Sequence, residues 1–267
     1  MAWVRRTPHH RTRTTMSEQG PAVVLVHGAF ANSATWNGVI EHLLANSVDV
    51  VAVANPLRSL RGDAAYVRDV ITGIGKPVVL VAHSYGGMVI TEAGSHNDAV
   101  KGLVYACAFA PEHGEGAFDL LHKVPGSTLG EALVAYPVSS GGREFAIRRD
   151  AFHRQFAADV PVRQAGVMCA TQRPVTEAAL AAQLPTDAPA WKTVPSWFAF
   201  GDEDLTIPVA LHRYMARRAN ARCTREVAGA SHAISVSNPD VVAASILDAL
   251  ASGCPELSHV ADRFGLR

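Results

Sequence analysis

The feature that most constrains this chain is a rhythm. Short, almost uninterrupted apolar runs alternate with stretches whose apolar residues recur at helical spacing. "AVVLVHG" (22–28) is such a run, and "TWNGVIEHLLAN" (35–46) follows with helical spacing. "VDVVAVANP" (48–56), "KPVVLVAHS" (76–84) and "VKGLVYACAFAP" (100–111) are further runs, with helical patterns at "GDAAYVRDVITGI" (62–74) and "YGGMVITEAGSH" (85–96). The rhythm resumes with "TVPSWFAFGDED" (193–204), "IPVALHRYMARRAN" (207–220), "ARCTREVAGASH" (221–232) and "NPDVVAASILDALAS" (238–252). A strand that is apolar at nearly every position is covered on both faces. Strands of that kind, spaced by helices, build a parallel sheet between helical layers. The expectation is an α/β fold with a six-stranded, mostly parallel sheet flanked by helices.

Residues 112–192 break the rhythm. They carry helical patterns such as "RRDAFHRQFAADV" (148–160) and "TEAALAAQL" (176–184) with Pro and Gly between them, and no convincing strand. A helical insert after the fourth strand of a parallel sheet covers the strand ends where ligands bind. The division expected is a core of residues 20–111 and 193–267 and a helical cap of 112–192. Phe30 in the core and Phe118, Phe152 and Trp191 in the cap are candidate walls of a substrate pocket. Leu121, Phe145 and Phe156 could join them, although burying the cap against the core accounts for most such residues.

Composition narrows the function classes. Hydrophobic residues make up 48% of the 267, enough for a sizeable core. Twenty-four Lys and Arg balance 24 Asp and Glu, so nothing favours nucleic acid as a partner. No apolar run is long enough to span a membrane. The four cysteines are widely spaced, without a CxxC or a metal-spaced His cluster, and read as reduced thiols with Cys107 and Cys223 in strands. The opening "MAWVRRTPHHRTRTTMSEQG" is Arg-rich and lacks the apolar stretch of a secretory signal. Residues 1–19 are expected to be a disordered extension, with Met16 an alternative start, and the location expected is cytoplasmic.

The chemistry centres on "VLVAHSYGGMVI" (79–90). Ser84 closes a strand and opens a helix, and only small neighbours let the two come close. Gly86 and Gly87 are small on the helix side, and Ala82 is next smallest on the strand side. Alone, the stretch fits a nucleophile and a helix N-cap equally well. A serine nucleophile needs a general base. His232 lies in a Gly/Ser-rich loop after the last strand. Asp202, Glu203 and Asp204 lie in the loop after the strand before it, where a carboxylate can orient an imidazole. In a parallel sheet all these loops share one edge. The turn after the first strand, "HGAF" (27–30), is nearly free of bulk before Phe30. The backbone amides of Ala29 and Tyr85 are therefore candidate oxyanion donors. His27 and His83 read as structural.

Together "VLVHGAF", "VAHSYGGMVI", "GDEDLTIP" and "GASHAISVSNP" resemble the α/β-hydrolase fold superfamily, with the closest likeness to compact esterases such as bacterial esterases and plant methylesterases. The resemblance covers residues 20–252 and is loosest in the cap. It implies Ser84 as nucleophile, His232 as base and an acid three residues after Gly201, which is Asp204, with Asp202 as the fallback. It implies six strands where the longest forms have eight. Relatives with an aspartate nucleophile are excluded by Ser84, and hydroxynitrile lyases, which carry a lysine after the catalytic histidine, by Ala233. The implied activity is hydrolysis of a small carboxylic ester, thioester or lactone through an acyl-enzyme, with no metal or organic cofactor. Carbon–carbon bond hydrolysis and ligand binding without turnover are the alternatives.

Overall fold

A computed structural model describes residues 20–139 and 141–253. The expectations for residues 1–19 and for the end of the core beyond 253 lie outside the described residues.

The strands are β1 (Ala22–Val26), β2 (Val50–Val53), β3 (Val78–Ser84), β4 (Val100–Ala108), β5 (Leu133–Pro137), β6 (Arg143–Ile147), β7 (Val175–Thr176), β8 (Ser196–Gly201) and β9 (Cys223–Val227). Six of them form one sheet in the order β2-β1-β3-β4-β8-β9, and every neighbouring pair is parallel. β1, β3 and β8 are buried at every position, whereas β2 and β9 at the edges are half exposed. The central strands are thus covered on both faces, as the covered-sheet argument requires, whereas β2, equally apolar as VVAV, lies at the edge.

Helices α1 (Asn37–Ala45), α2 (Leu60–Ile74) and α3 (Gly86–Ala93) connect the first four strands. α2 starts at Ser59, whose hydroxyl accepts the Gly62 N–H at 3.2 Å, and stops at Gly75 in the left-handed conformation. After the cap come α9 (Val209–Arg218), α10 (Ile234–Ser237) and α11 (Pro239–Leu250). Gly102 and Leu103 are consecutive on β4 and so face opposite sides of the sheet. Gly102 faces Ala249 of α11, and Leu103 reaches Gly94 at the end of α3. α11, with α1 packed on it, therefore covers one face, and α3, with α2 packed on it, covers the other.

The chain leaves β1 toward β2 on one side and returns to β3 on the other. The sheet order reverses between β1 and β3, and the crevice beyond their C-terminal ends is where ligands bind in such sheets.

The insertion after β4 holds α4 (Ala117–Lys123), α5 (Leu129–Ala132), α6 (Phe152–Phe156), α7 (Val162–Thr171) and α8 (Glu177–Leu180). It also holds an antiparallel sheet in the order β5-β6-β7, where the sequence predicts no strand. The signal was present in "LVAYPVSSGGREFAI", two β-prone runs about a Gly pair. Gly141 and Gly142 have φ of 92° and 80°, the turn conformation that lets the hairpin close. Cys107 and Cys169 are free, but Cys223 is disulfide-bonded, against the expectation of four thiols. Linear spacing carries no information on which cysteines meet in space. Among the described residues no helix is long and apolar enough to cross a membrane.

Candidate active site

The crevice between β1 and β3 is closed by glycines. Ser84 ends β3 with φ 54°, a left-handed conformation that costs a residue with a Cβ about 1–2 kcal/mol. The backbone around it is packed so closely that positions 28, 86 and 87 must be glycine. A Cβ on Gly87 would lie 2.0 Å from the Phe109 carbonyl oxygen, and one on Gly86 2.5 Å from that of Val26. A Cβ on Gly28 would lie 2.5 Å from Ser84 Cβ. Ala82 pairs with Val26 and Tyr105 in the sheet and is fully buried. The close approach that the motif needs is made by Gly28, Gly86 and Gly87, which is why alanine is tolerated at 82.

His232 and Asp204 meet as the sequence order suggests, with His232 Nδ1 2.7 Å from Asp204 Oδ2. An ionised carboxylate only accepts, so Nδ1 carries the hydrogen and Nε2 is left with its lone pair. Nε2 is buried and has no hydrogen-bond partner. Asp204 Oδ1 accepts the amides of Thr206 and Ile207 at 2.8 and 2.9 Å. Burial opposes ionisation of Asp204, but facing His232 and His212 and their hydrogen bonds outweigh it and hold the carboxyl well below the usual range. Asp202 takes another part: exposed, its Oδ1 accepts the Gly229 N–H at 2.7 Å and braces the turn before His232. Gly201 allows that approach, since a Cβ there would meet the Ala230 carbonyl oxygen at 2.0 Å.

His83 Nε2–H donates to the His232 carbonyl at 2.9 Å, so the neighbour of Ser84 holds the His232 backbone. Burial first, then the like charge of His232, lowers its pKa to about 3 and keeps it neutral. His27 is held by burial at about 4, its Nδ1 bonded to the Gly28 carbonyl at 2.9 Å. Ser84 Oγ forms no hydrogen bond among the described residues, so it is not bonded to His232 in this structure. Apo sites often tighten this contact only when substrate is bound.

The Ala29 and Tyr85 amides are buried and make no backbone hydrogen bond among the described residues. The next amide, that of Phe30, is taken by the Arg173 carbonyl of the cap at 3.1 Å. Phe30 itself has φ 60°, so the loop after β1 turns sharply here. The Tyr85 hydroxyl donates to Asp63 Oδ2 at 2.9 Å in the first turn of α2.

Ser84, Ala29 and Tyr85 open onto a cavity of about 470 Å³ whose other walls include Phe30, Phe109, Phe118, Leu121, Leu133 and Leu180. His122 is the one imidazole among its lining residues, and no Lys, Arg, Asp or Glu lines it. Of the predicted pocket residues, Phe30 and Phe118 line this cavity and Phe152 and Trp191 do not. Phe152 is buried against Phe156, with ring centres 5.2 Å apart. The Trp191 indole donates to the Pro111 carbonyl at 2.7 Å, and the Arg218 guanidinium lies over its ring. His232 does not line the cavity either and is fully buried.

Several supporting residues escaped the sequence reading. His212 Nε2 lies 3.1 Å from Asp204 Oδ2. Leu211, His212, Met215 and Ala216 form the buried stripe of α9, so a histidine on an apolar helix face was the available signal. From the cap, Gln155 Nε2 donates to the Leu205 carbonyl at 2.9 Å, and the Phe156 ring stands edge-on to His232 at 5.0 Å. Cys107, Asp204 and His232 place ligand-type atoms within 4.8 Å of one another. His232 Nδ1 and Asp204 are already bonded to each other there, and burial pushes the Cys107 thiol up, so the group fits a hydrogen-bonded cluster better than a metal site.

The alpha/beta hydrolase family model matches residues 23–245. The alpha/beta hydrolase nvfD of Aspergillus novofumigatus is 27% identical over 255 residues, covering 86% of this chain and 96% of that protein. The carbendazim hydrolyzing esterase of Nocardioides sp. is 44% identical over 63 residues, 22% of this chain and 26% of that one. Among solved structures, polyneuridine aldehyde esterase superposes with a TM-score of 0.73 at 21% identity, covering 86% of this chain and 99% of that one. At that identity the likeness is one of fold.

Proposed function

The chain belongs to the alpha/beta hydrolase family, and from that premise we propose that it is a serine hydrolase acting on a small, neutral carboxylic ester. The observation that carries the reading is the His232 ring: Nδ1–H is fixed on Asp204 and Nε2 is left as a buried base without a partner. The group we assign to it is the Ser84 hydroxyl, next in sequence to the His83 that holds the His232 carbonyl.

In the proposed reaction Nε2 takes the Ser84 proton as Oγ bonds to the ester carbonyl carbon. The carbonyl oxygen becomes an oxyanion, for which the free Ala29 and Tyr85 amides are donors. Asp204 stabilises the imidazolium without taking its proton. The intermediate collapses, the carbon–oxygen bond to the alcohol breaks, and the leaving oxygen receives the proton from Nε2. Water, deprotonated by the same nitrogen, then attacks the acyl-enzyme and releases the acid. The apolar walls, without a charged side chain, suit a neutral ester with an apolar body and give a carboxylate product no cation to hold it. The esterase names among the relatives support an ester over a carbon–carbon bond.

The test is a fluorophosphonate probe with 4-nitrophenyl acetate hydrolysis as the paired assay. A single adduct on the Ser84 peptide, loss of hydrolysis in step with labelling, and neither in Ser84→Ala are expected. Folded protein that hydrolyses the ester while Ser84 stays unlabelled overturns the mechanism. Folded protein that neither reacts nor turns over overturns the enzyme.

A further inference from the structure

Asp204 accepts four hydrogen bonds, and one of them comes from an imidazole that the reaction just described does not use. Oδ1 is filled by two backbone amides, and Oδ2 is shared by two imidazoles, His232 at 2.7 Å and His212 at 3.1 Å. His212 is 1% exposed, lies on α9 and stacks on Phe200 with ring centres 5.0 Å apart and planes 9° apart. It does not line the cavity and cannot touch substrate there.

We infer that His212 is a positioning residue: a neutral N–H donor that fixes Asp204 Oδ2 and sets how strongly the carboxylate pulls on His232. The inference rests on the proposed roles of Ser84, His232 and Asp204. Its physical basis is competition for one oxygen. A donor on Oδ2 takes up part of the negative charge that would otherwise stabilise the His232 imidazolium. The same donor stops the carboxylate from turning about its Cβ–Cγ bond, so the ring it orients keeps one direction. The arrangement needs His212 uncharged, because a second imidazolium on the same oxygen would repel the first. Burial lowers its pKa, against the pull of Asp204, and the like charge of His232 lowers it further.

The other titratable groups facing the cluster are His83 from β3, Cys107 from β4 and, through Ser231, Asp159 of the cap, with His27 beyond His83. His83 and His27 are neutral above pH about 4, and the Cys107 thiol is pushed up. Near neutral pH these three therefore hold one charge state and do not mask a movement of the acid limb.

Three variants separate positioning from packing. His212→Gln keeps an N–H of similar reach, His212→Asn is as polar but a methylene short, and His212→Phe keeps the ring but not the donor. The reading predicts near-wild-type kcat and an unmoved acid limb of kcat/KM for Gln. It predicts a loss of roughly tenfold or more in kcat for Asn and Phe with KM unchanged. Without the competing donor, the acid limb of Phe moves to higher pH. A packing role predicts the opposite order, with Phe the most active, Gln and Asn alike, and no limb moved. Either of those orders overturns the inference, and the Gln–Asn pair decides it if Phe does not fold. Fluorophosphonate labelling of Ser84 in each variant keeps the two readings apart. Labelled wild type with the wrong order of variants removes only the role of His212, whereas unlabelled wild type removes the mechanism it serves.

Discussion

Gly28→Ala is the sharpest probe of how the fold places Ser84, the proposed nucleophile. The added Cβ would lie 2.5 Å from Ser84 Cβ, 2.7 Å from the His83 carbonyl oxygen and 3.2 Å from Ser84 Oγ. Carbon atoms rest about 3.5–4.0 Å apart, so the first contact is short by roughly 1 Å. Neither neighbour is the loose end of a side chain. His83 is a strand residue paired across β4, and Ser84 is locked in its left-handed turn by Gly86 and Gly87. Relief must come from opening the crossing between the β1 loop and β3. Overpacking of that kind costs about 1–3 kcal/mol, or a Tm fall of roughly 3–10 °C in a chain of this size. The activity loss should be larger, because the loop that moves carries the Ala29 amide, a proposed oxyanion donor, and losing one such donor costs about 10²–10³ in kcat. Differential scanning calorimetry and kcat on 4-nitrophenyl acetate measure both. Gly73→Ala is the control: it lies inside α2 with no atom within 4 Å of its Cβ. It should keep full activity and gain up to about 1 kcal/mol from helix propensity. A Gly28→Ala enzyme with unchanged kcat and Tm would refute the claim that this contact holds Ser84 in place.

Asp204→Asn should lower kcat by about 10⁴ near neutral pH, because an amide cannot accept in both roles and favours the wrong His232 tautomer. Asp202→Asn, which keeps an oxygen for the Gly229 amide, should stay within about twofold. Tyr85→Phe should leave Asp63 Oδ2 buried without its donor and cost about 1–3 kcal/mol in urea unfolding, with little change in kcat, since the backbone amide of Tyr85 is the proposed donor. Stability should fall with pH below about 6.5, because His83 and His27 have folded values of about 3 and 4 against 6.5 unfolded. The unfolded chain binds the extra protons, so each histidine adds a slope of up to about 1.4 kcal/mol per pH unit between its two values. Asp204, whose pKa is also depressed, extends the loss below pH about 4. His83→Gln should flatten the pH dependence of the unfolding midpoint between pH 4 and 6.5, and an unchanged slope would contradict a buried neutral His83.

The core was legible because each of its signals is local. Apolar runs mark β1, β3 and β8, and the three candidate groups Ser84, Asp204 and His232 each follow a strand in a sheet with one functional edge. What local sequence could not separate was Asp202 from Asp204. Both follow Gly201, and the choice depends on which carboxylate the turn buries: Asp204 is 4% exposed, whereas Asp202 faces solvent and holds Gly229. The cap was harder for a physical reason. Its residues bury against a core already built, so aromatic character says that they are inside but not which side they face. Phe118 and Phe152 read alike in sequence, yet one lines the cavity and the other packs on Phe156. Its small sheet is held by a Gly-rich hairpin with half-exposed strands, which lack the continuous apolar signature of the core.

The cap also does more than roof the cavity. Gln155 holds the Leu205 carbonyl beside Asp204, and its own carbonyl accepts the Thr206 hydroxyl at 3.3 Å. Phe156 stands against the His232 ring, and Asp159 accepts from Ser231, the residue before it. Arg173 takes the Phe30 amide in the loop after β1. The loops that carry Asp204, His232 and the Ala29 amide are thus each tied to the inserted segment as well as to the sheet. Each of these loops is held at its ends by the strand before it and the helix after it, and these bonds fix its middle. It follows that substitutions of cap residues that do not line the cavity, Gln155→Ala above all, should lower kcat more than they raise KM. A change confined to KM would mean that the sheet alone positions the reacting groups.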